Sequence, residues 1–143
     1  MVLLAKKIIY GLWNVWFYVL AGIGVVLCFP LLVIFLQKDR WYRYVFWLGR
    51  WVWSPIILYG MGFWPKFTRH QTLEKGKNYM FVANHLSMID IMMMMMAVRN
   101  PFVFVGKREL EEIPVFNYIY RRAAIMVDRD NYDSRKNVYH RAQ

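Results

Sequence analysis

The sequence predicts an α/β fold preceded by N-terminal membrane-associated helices. The first observation is an apolar stretch without a single charge, at residues 12–36. The second is an alternation of short apolar runs with segments of helical length after about residue 79, which is typical of an α/β domain. We therefore expect a membrane-embedded or interfacial helical region at residues 1–64 and an α/β domain at residues 65–143.

The uncharged stretch is long enough to cross a bilayer. Its 25 residues would measure about 37 Å as a helix, against a hydrocarbon core of roughly 30 Å. Its length, with no small-residue cleavage site after it, disfavours a secretory signal. Gly22, Gly24 and Pro30 leave open whether the helix spans the membrane or is re-entrant. Cys28 is the only cysteine, which excludes an internal disulfide, and we assign it to packing.

Residues 41–64 have the composition of an interfacial helix. They contain five tryptophans, a residue type that settles at headgroup depth. Arg43 and Arg50 are seven residues apart, so a regular helix places both on one face, from which they could reach lipid phosphates. A core helix with two outward arginines is the alternative. Ser54-Pro55 predicts a bend or a break.

The second half of the chain predicts alternating strands and helices. Apolar or aromatic runs mark the strands, and Pro114 interrupts one helix. The last helix has Asp133-Ser134 as its candidate N-cap. The predicted elements are a strand at 79–83, a helix from about residue 91, a strand at 101–105, a helix at 109–122, a strand at 123–127 and a helix from about residue 134.

Met92 to Met96 form a run of five methionines on the helix that follows the first of these strands. Such side chains are flexible and polarizable, so they fill irregular core space and also line adaptable apolar grooves. The sequence leaves both interpretations open, packing in the core or a groove for an acyl tail.

The segment Asn84-His85-Leu86-Ser87-Met88-Ile89-Asp90 is the strongest candidate for chemistry. It lies at a strand-to-helix junction, where a histidine in the loop can meet a carboxylate in the first helical turn. A carboxylate bonded to one imidazole nitrogen leaves the other as an acceptor and stabilises the imidazolium, so His85 and Asp90 could activate a hydroxyl. The same residues also read as a helix capping box, with Ser87 as N-cap and Asp90 at N3. Spacing alone does not separate these interpretations.

Several motifs resemble those of the glycerolipid acyltransferases, which include 1-acylglycerol-3-phosphate acyltransferase. Asn84-His85 followed by Asp90 resembles the first motif of that family. The second region is similar in order and spacing, with differences only at Ala123, Met126 and Val127. Its matching segments are Gly106-Lys107-Arg108-Glu109-Leu110, Ile113-Pro114 and Ile125-Met126-Val127-Asp128-Arg129-Asp130.

The resemblance extends from about residue 79 to residue 131 and does not include the family's Glu-Gly-Thr motif. That motif and its surrounding strand and helix do not occur before Gln143. We therefore expect an incomplete acyltransferase-like α/β domain, with doubtful activity for the 143-residue form. A non-catalytic, membrane-anchored fragment is the competing hypothesis from a different functional class.

The resemblance implies transfer of an acyl chain to the hydroxyl of 1-acylglycerol 3-phosphate in phospholipid biosynthesis. The donor would be acyl-CoA or acyl carrier protein, and the acceptor a lysophosphatidic-acid-like molecule. Glycerol 3-phosphate and other lysolipids remain open as acceptors. No metal or bound cofactor is required. The sequence contains no glycine-rich phosphate loop and no nucleophile-elbow serine, so direct transfer is favoured over a covalent serine mechanism.

Lys107 and Arg129 are the candidate phosphate-binding residues. Each follows a predicted strand, and parallel strands bring their carboxyl ends to one sheet edge. Arginine binds phosphate through two parallel N–H bonds from its planar guanidinium group, whereas lysine binds it as a point charge. The alternative for each is a surface residue or an ion pair, with Glu109 and Asp128 close by in sequence.

Basic residues concentrate between residues 38 and 77. This segment contains eight Lys or Arg and two acidic residues, so its net charge is +6. This region is expected to lie against anionic membrane lipid. The positive-inside rule then places the acyltransferase domain on the cytoplasmic side. No DNA- or RNA-binding motif accompanies the charge, so nucleic acid is not an expected partner.

Overall fold

The computed structural model describes residues 2–74, 77–84, 86–113, 116–128 and 130–142, with the backbone alone for residues 2, 135 and 139–142. This part of the chain is mostly helical. It divides into two compact units, one formed by residues 1–26 with 49–99 and the other by residues 27–48 with 100–143. The predicted domain boundary between residues 64 and 65 stays a prediction.

The N-terminal helix α1 comprises Val2–Phe35 and continues through Pro30. Its 34 residues give a length of about 50 Å. The segment Leu3–Phe35 is long and apolar enough to cross a membrane. Only 28% of its most apolar 18-residue stretch is buried inside the protein. The core helix of a water-soluble protein would bury most of such a surface, whereas α1 leaves large apolar side chains such as Leu4, Val26 and Leu27 exposed.

A chain of short helical elements follows α1. The expected break near Ser54-Pro55 takes the form of a π-helical turn, with Pro55 in the first turn of the next helix, where a missing N–H is tolerated. The elements are a 3₁₀ turn at Asp39–Trp41, α2 at Tyr42–Leu48, the π turn at Gly49–Trp53 and α3 at Ser54–Gly60.

The core of the first unit joins α1, α3 and the helix α4, which comprises Ile89–Ala97. Ile57, Leu58 and Met92 are almost completely buried at its centre. Two hydrogen bonds from indole N–H groups connect α1 to α3 and to the π turn. Trp16 donates to the Gly60 carbonyl, and Trp53 donates to the Ala21 carbonyl. The core interpretation of the methionine run is therefore confirmed for Met92.

The second unit contains the only sheet of the described residues, two parallel strands. β1 comprises Phe104–Lys107 and β2 comprises Ala124–Val127, paired from Phe104 with Ala124 to Lys107 with Val127. A 3₁₀ turn at Arg108–Glu112 and helix α5, Phe116–Ala123, connect them, as a parallel pair requires. The described residues thus contain one small parallel β-α-β unit, and the larger α/β domain that the sequence predicts stays a prediction.

Two predicted strands need correction. The strand expected at 79–83 is wrong: these residues form no ladder, and Met80 and Val82 are more than 80% exposed. No described strand pairs with them, and an unpaired strand has nothing to satisfy its backbone groups. The strand expected at 101–105 instead begins at Phe104, because its partner β2 begins only at Ala124, where α5 ends.

The last helix, α6, comprises Tyr132–Ala142 and starts slightly earlier than expected. Its cap is Asn131 and not Asp133-Ser134. The Asn131 side-chain oxygen accepts from the N–H groups of Asp133 at 2.9 Å and Ser134 at 3.1 Å. The Ser134 hydroxyl instead accepts from the Asp128 N–H at 2.9 Å, which connects α6 to the end of β2. Asparagine is a stronger N-cap residue than most alternatives.

Candidate active site

Asp90 lies in the first turn of α4, as the sequence predicts. Its Oδ2 accepts hydrogen bonds from the N–H groups of Leu86 and Ser87, both at 2.7 Å. The Ser87 hydroxyl accepts in return from the Ile89 N–H at 3.3 Å. These reciprocal bonds satisfy N–H groups that have no partner within the helix, which is what a capping box does. The capping interpretation of Ser87 and Asp90 is therefore confirmed.

The same bonds place the Asp90 carboxylate beside the backbone that follows the motif histidine in sequence. Oδ2 is held by the backbone of Leu86 and Ser87, the two residues after His85 in sequence. His85 itself, and with it the predicted contact to Asp90, lies outside the described residues. A carboxylate fixed by two N–H donors is well suited to orient a nearby imidazole, because its own geometry is restrained.

Lys107 is the last residue of β1, and its side chain is exposed. It forms no ion pair with any carboxylate of the described residues, Glu109 included, so the ion-pair alternative is not supported, whereas an exposed side chain is compatible with a simple surface residue. Its carbonyl accepts a 2.9 Å hydrogen bond from the hydroxyl of Tyr120 on α5, which fixes the end of the strand. Lys107 belongs to the second unit and Asp90 to the first.

Gly106 makes the Tyr120 bond to Lys107 feasible. The phenol ring of Tyr120 crosses directly over Gly106, and a Cβ at this position would collide with the hydroxyl and the ring. Tyr120 is buried, so moving its ring would disturb the packing around it. The glycine in the Gly106-Lys107 motif thus has a packing role, since it lets α5 approach β1 closely.

Arg129, the other predicted phosphate ligand, lies outside the described residues. The backbone on both sides of it is well bonded. The Asp128 carboxylate accepts from the Asp130 N–H at 3.1 Å, and Asn131 caps α6. Asp and Asn side chains commonly bond to backbone N–H groups two residues further along the chain in this way.

Arg50 and Arg69 form a second group of functional candidates, and the sequence did not indicate that these two arginines come together. Arg50 donates to the carbonyls of Val98 at 2.9 Å and Met96 at 3.1 Å, and Arg69 donates to the Ala97 carbonyl at 2.9 Å. Both guanidinium groups therefore contact the C-terminal end of α4. Arg50 thus has partners within the protein, which the sequence did not predict. No sequence signal links residues this far apart, although cations favour helix C-termini in general.

The electrostatics of this group are unusual. Burial lowers the pKa of Arg50, and the positive charges of Arg69 and Arg99 lower it further. Arg69 and Arg99 are therefore close enough to Arg50 for their charges to disfavour its charged form.

Within the described residues, no three His, Cys, Asp or Glu side chains come close enough together to hold a metal ion.

Comparison with known proteins identifies the second part of the chain. The family model described as Acyltransferase matches residues 65–143, more than half of the chain, and this range includes His85, Asp90, Lys107 and Arg129. Searches of curated proteins and of solved structures gave no significant match. The extent of the family match establishes that this chain belongs to the glycerolipid acyltransferase family.

Proposed function

We propose that this protein transfers an acyl chain from acyl-CoA or acyl carrier protein to the free hydroxyl of 1-acylglycerol 3-phosphate, in phospholipid biosynthesis. Family membership supports acyl transfer in general. The order of the motifs around His85, Asp90, Lys107 and Arg129 supports a phosphate-bearing lipid acceptor. The observation that carries the proposal is the carboxylate of Asp90, which is held by the backbone N–H groups of Leu86 and Ser87, the two residues that follow the motif histidine in sequence.

In the proposed reaction, His85 removes the proton from the acceptor hydroxyl. The resulting oxygen attacks the carbonyl carbon of the thioester, an ester C–O bond forms, and the C–S bond breaks. The imidazolium returns the proton to the departing thiolate, so the products are the diacyl lipid and the free thiol. Asp90 orients the imidazole and stabilises its positive charge while the proton is held. No oxidant, metal or cofactor enters this balance.

Lys107 and Arg129 are the proposed ligands of the acceptor phosphate. The side chain of Lys107 is exposed and without a carboxylate partner among the described residues, so its charge is available to an anion. The planar fork of Arg129 would bind two phosphate oxygens. Because the phosphate is present throughout the reaction, these residues should affect acceptor binding more than the chemical step.

We further propose that α1 lies in the membrane and that the acyltransferase domain faces the cytoplasm. The support is the mostly exposed apolar surface of α1, which water would solvate poorly. The net charge of +6 between residues 38 and 77 favours the cytoplasmic side. A membrane location would also bring the enzyme to both its lipid acceptor and its product.

Acyl transfer by the purified protein in lipid nanodiscs tests the proposed function. Labelled acyl-CoA and acyl carrier protein are offered with 1-acylglycerol 3-phosphate, glycerol 3-phosphate or lysophosphatidylcholine. We expect turnover to be highest with 1-acylglycerol 3-phosphate and to be lost in His85→Ala. The His70→Ala variant is a matched control, since His70 is exposed and lies in no motif. Preference for another acceptor would reject the substrate assignment, and near-normal turnover by His85→Ala would reject the base.

A further inference from the structure

A cavity of about 500 Å³ opens in the first unit beside the C-terminal end of α4. Its lining combines three arginines with an apolar surface. The residues that line it are Arg50, Trp51, Phe67, Arg69, Met96 and Arg99.

The three arginines carry positive charge that the described residues do not neutralise. None of them forms an ion pair with a described carboxylate. Arg50 and Arg69 do contact the last carbonyls of α4. However, a helix C-terminus supplies only about half a negative charge. Roughly two and a half positive charges therefore remain at the cavity. Burial, and after it the charges of Arg69 and Arg99, lowers the pKa of Arg50.

The cavity lies at the opposite end of α4 from Asp90. The nine residues of this helix separate its two ends by about 12 Å. In 1-acylglycerol 3-phosphate only a few bonds lie between the hydroxyl and the phosphate. The cavity therefore lies away from the end of α4 at which the acceptor is proposed to react, which favours a different phosphate-bearing molecule as its occupant.

We propose that this cavity binds the phosphate of an anionic membrane lipid. The arginine forks provide charge-assisted hydrogen bonds to the phosphate oxygens. The apolar part of the lipid would contact Trp51, Phe67 and Met96, which free phosphate could not use. Arg50 lies over the Trp51 ring at 5.2 Å, so cation and aromatic surface already adjoin. The assignment rests on this cavity alone and does not depend on the proposed base.

Arg99 is the best position for a test, because it lines the cavity without donating to the α4 carbonyls. Arg99→Gln removes one charge and leaves the helix bonds in place. Lys66→Gln is the matched control: it removes an exposed cation of the same unit that does not line the cavity. Arg99→Lys keeps the positive charge but removes the planar guanidinium group.

The measurement is calorimetric titration of the full chain in nonionic detergent with short-chain phosphatidylglycerol. Phosphatidylcholine of the same chain length, inorganic phosphate and coenzyme A are titrated in parallel. We expect Arg99→Gln to weaken phosphatidylglycerol binding about ten-fold, as loss of a charge-assisted bond predicts. Arg99→Lys should show a smaller loss. Lys66→Gln and His85→Ala should bind as the unaltered chain does, so binding survives even where catalysis fails.

Three results would overturn this assignment. One is equal binding of phosphatidylglycerol by Arg99→Gln and Lys66→Gln. Another is displacement of the lipid by inorganic phosphate at similar concentration, which would indicate a simple anion site. The third is tighter binding of coenzyme A than of phosphatidylglycerol, sensitive to Arg99→Gln, which would assign the cavity to the donor.

Discussion

The Ser87 N–H donates to Oδ2 of Asp90 at 2.7 Å, and the Asp90 N–H donates to the Ser87 carbonyl at 3.1 Å. In a third bond, the Ile89 N–H donates to the Ser87 hydroxyl. Together the three bonds connect Ser87 to the first turn of α4. Asp90 therefore has a structural role, and its proposed catalytic role must be separated from it.

Ser87→Ala isolates the structural role. It removes the hydroxyl that accepts from the Ile89 N–H but leaves the Asp90 carboxylate and both of its backbone donors. Loss of a cap of this kind costs about 1 kcal/mol of unfolding free energy. Thermal unfolding in detergent should show this loss, while acyl transfer per folded molecule stays near normal. A large drop in that specific activity would mean that Ser87 itself acts in the reaction.

Lys107→Ala should raise the Michaelis constant for 1-acylglycerol 3-phosphate and leave that of the acyl donor nearly unchanged. Losing one charge-assisted bond to phosphate predicts an increase of about ten- to a hundred-fold. Arg129→Ala should behave similarly. Arg108→Ala is the control, because Arg108 is the exposed neighbour of Lys107. Steady-state kinetics with both substrates varied would check this, and an effect confined to the donor would count against the phosphate role.

Gly106→Ala should destabilise the second unit by about 2 kcal/mol, the typical cost of forcing an extra methyl into a packed site. The new Cβ would push Tyr120 away and break its bond to the Lys107 carbonyl. Adding Tyr120→Phe should recover part of the loss, since the hydroxyl is the nearest colliding atom.

Gly22→Ala is the matched control for Gly106→Ala. Nothing lies within 4 Å of a Cβ at Gly22, and alanine is the better helix former, so stability should rise slightly. Equal thermal stability of Gly106→Ala and the unaltered chain would show that the close approach of Tyr120 is not needed.

Tyr42→Phe should lower stability by about 1 kcal/mol at neutral pH. The Tyr42 hydroxyl is shared between the carbonyls of Phe102 at 3.1 Å and Ala123 at 3.2 Å, just before the two strands begin. Burial raises the pKa of Tyr42 to about 12 from its usual 10. Between these pH values the unfolded chain loses its phenolic proton first, so ionisation favours unfolding.

The stability advantage of tyrosine over phenylalanine at position 42 should therefore be constant below pH 10 and shrink as the pH rises toward 12. Denaturant titration of both proteins across this range measures the difference directly. An advantage that grows above pH 10 would contradict the buried, neutral phenol.

The sequence pattern was sufficient to predict elements that depend on interactions between residues close together in the chain. The long uncharged stretch predicted the core of α1, and the apolar run at 123–127 predicted β2 within one residue. The Ser87-to-Asp90 spacing indicated the capping box as one of two interpretations. Helix formation and capping depend on neighbours within a few residues, which a sequence displays directly.

Features that depend on distant partners could not be predicted in this way. Residues 79–83 have strand composition, but a strand exists only where another backbone pairs with it. The start of β1 is set by where α5 ends on the partner side, at Ala123. Arg50 finds its carbonyl partners 46 and 48 residues away, and nothing local distinguishes such an arginine from one that faces lipid.

The kinetic effect of Asp90→Asn tests the central claim most directly. Asparagine keeps an oxygen that can accept from Leu86 and Ser87 but loses the negative charge that would stabilise the His85 imidazolium. Single-turnover acyl transfer is measured beside thermal unfolding, with Ser87→Ala as the control for capping. We expect the rate of Asp90→Asn to fall by about a hundred-fold or more, the usual scale of general acid–base catalysis, with a stability loss no greater than that of Ser87→Ala. A near-normal rate in folded Asp90→Asn would contradict the account and leave Asp90 as a helix cap.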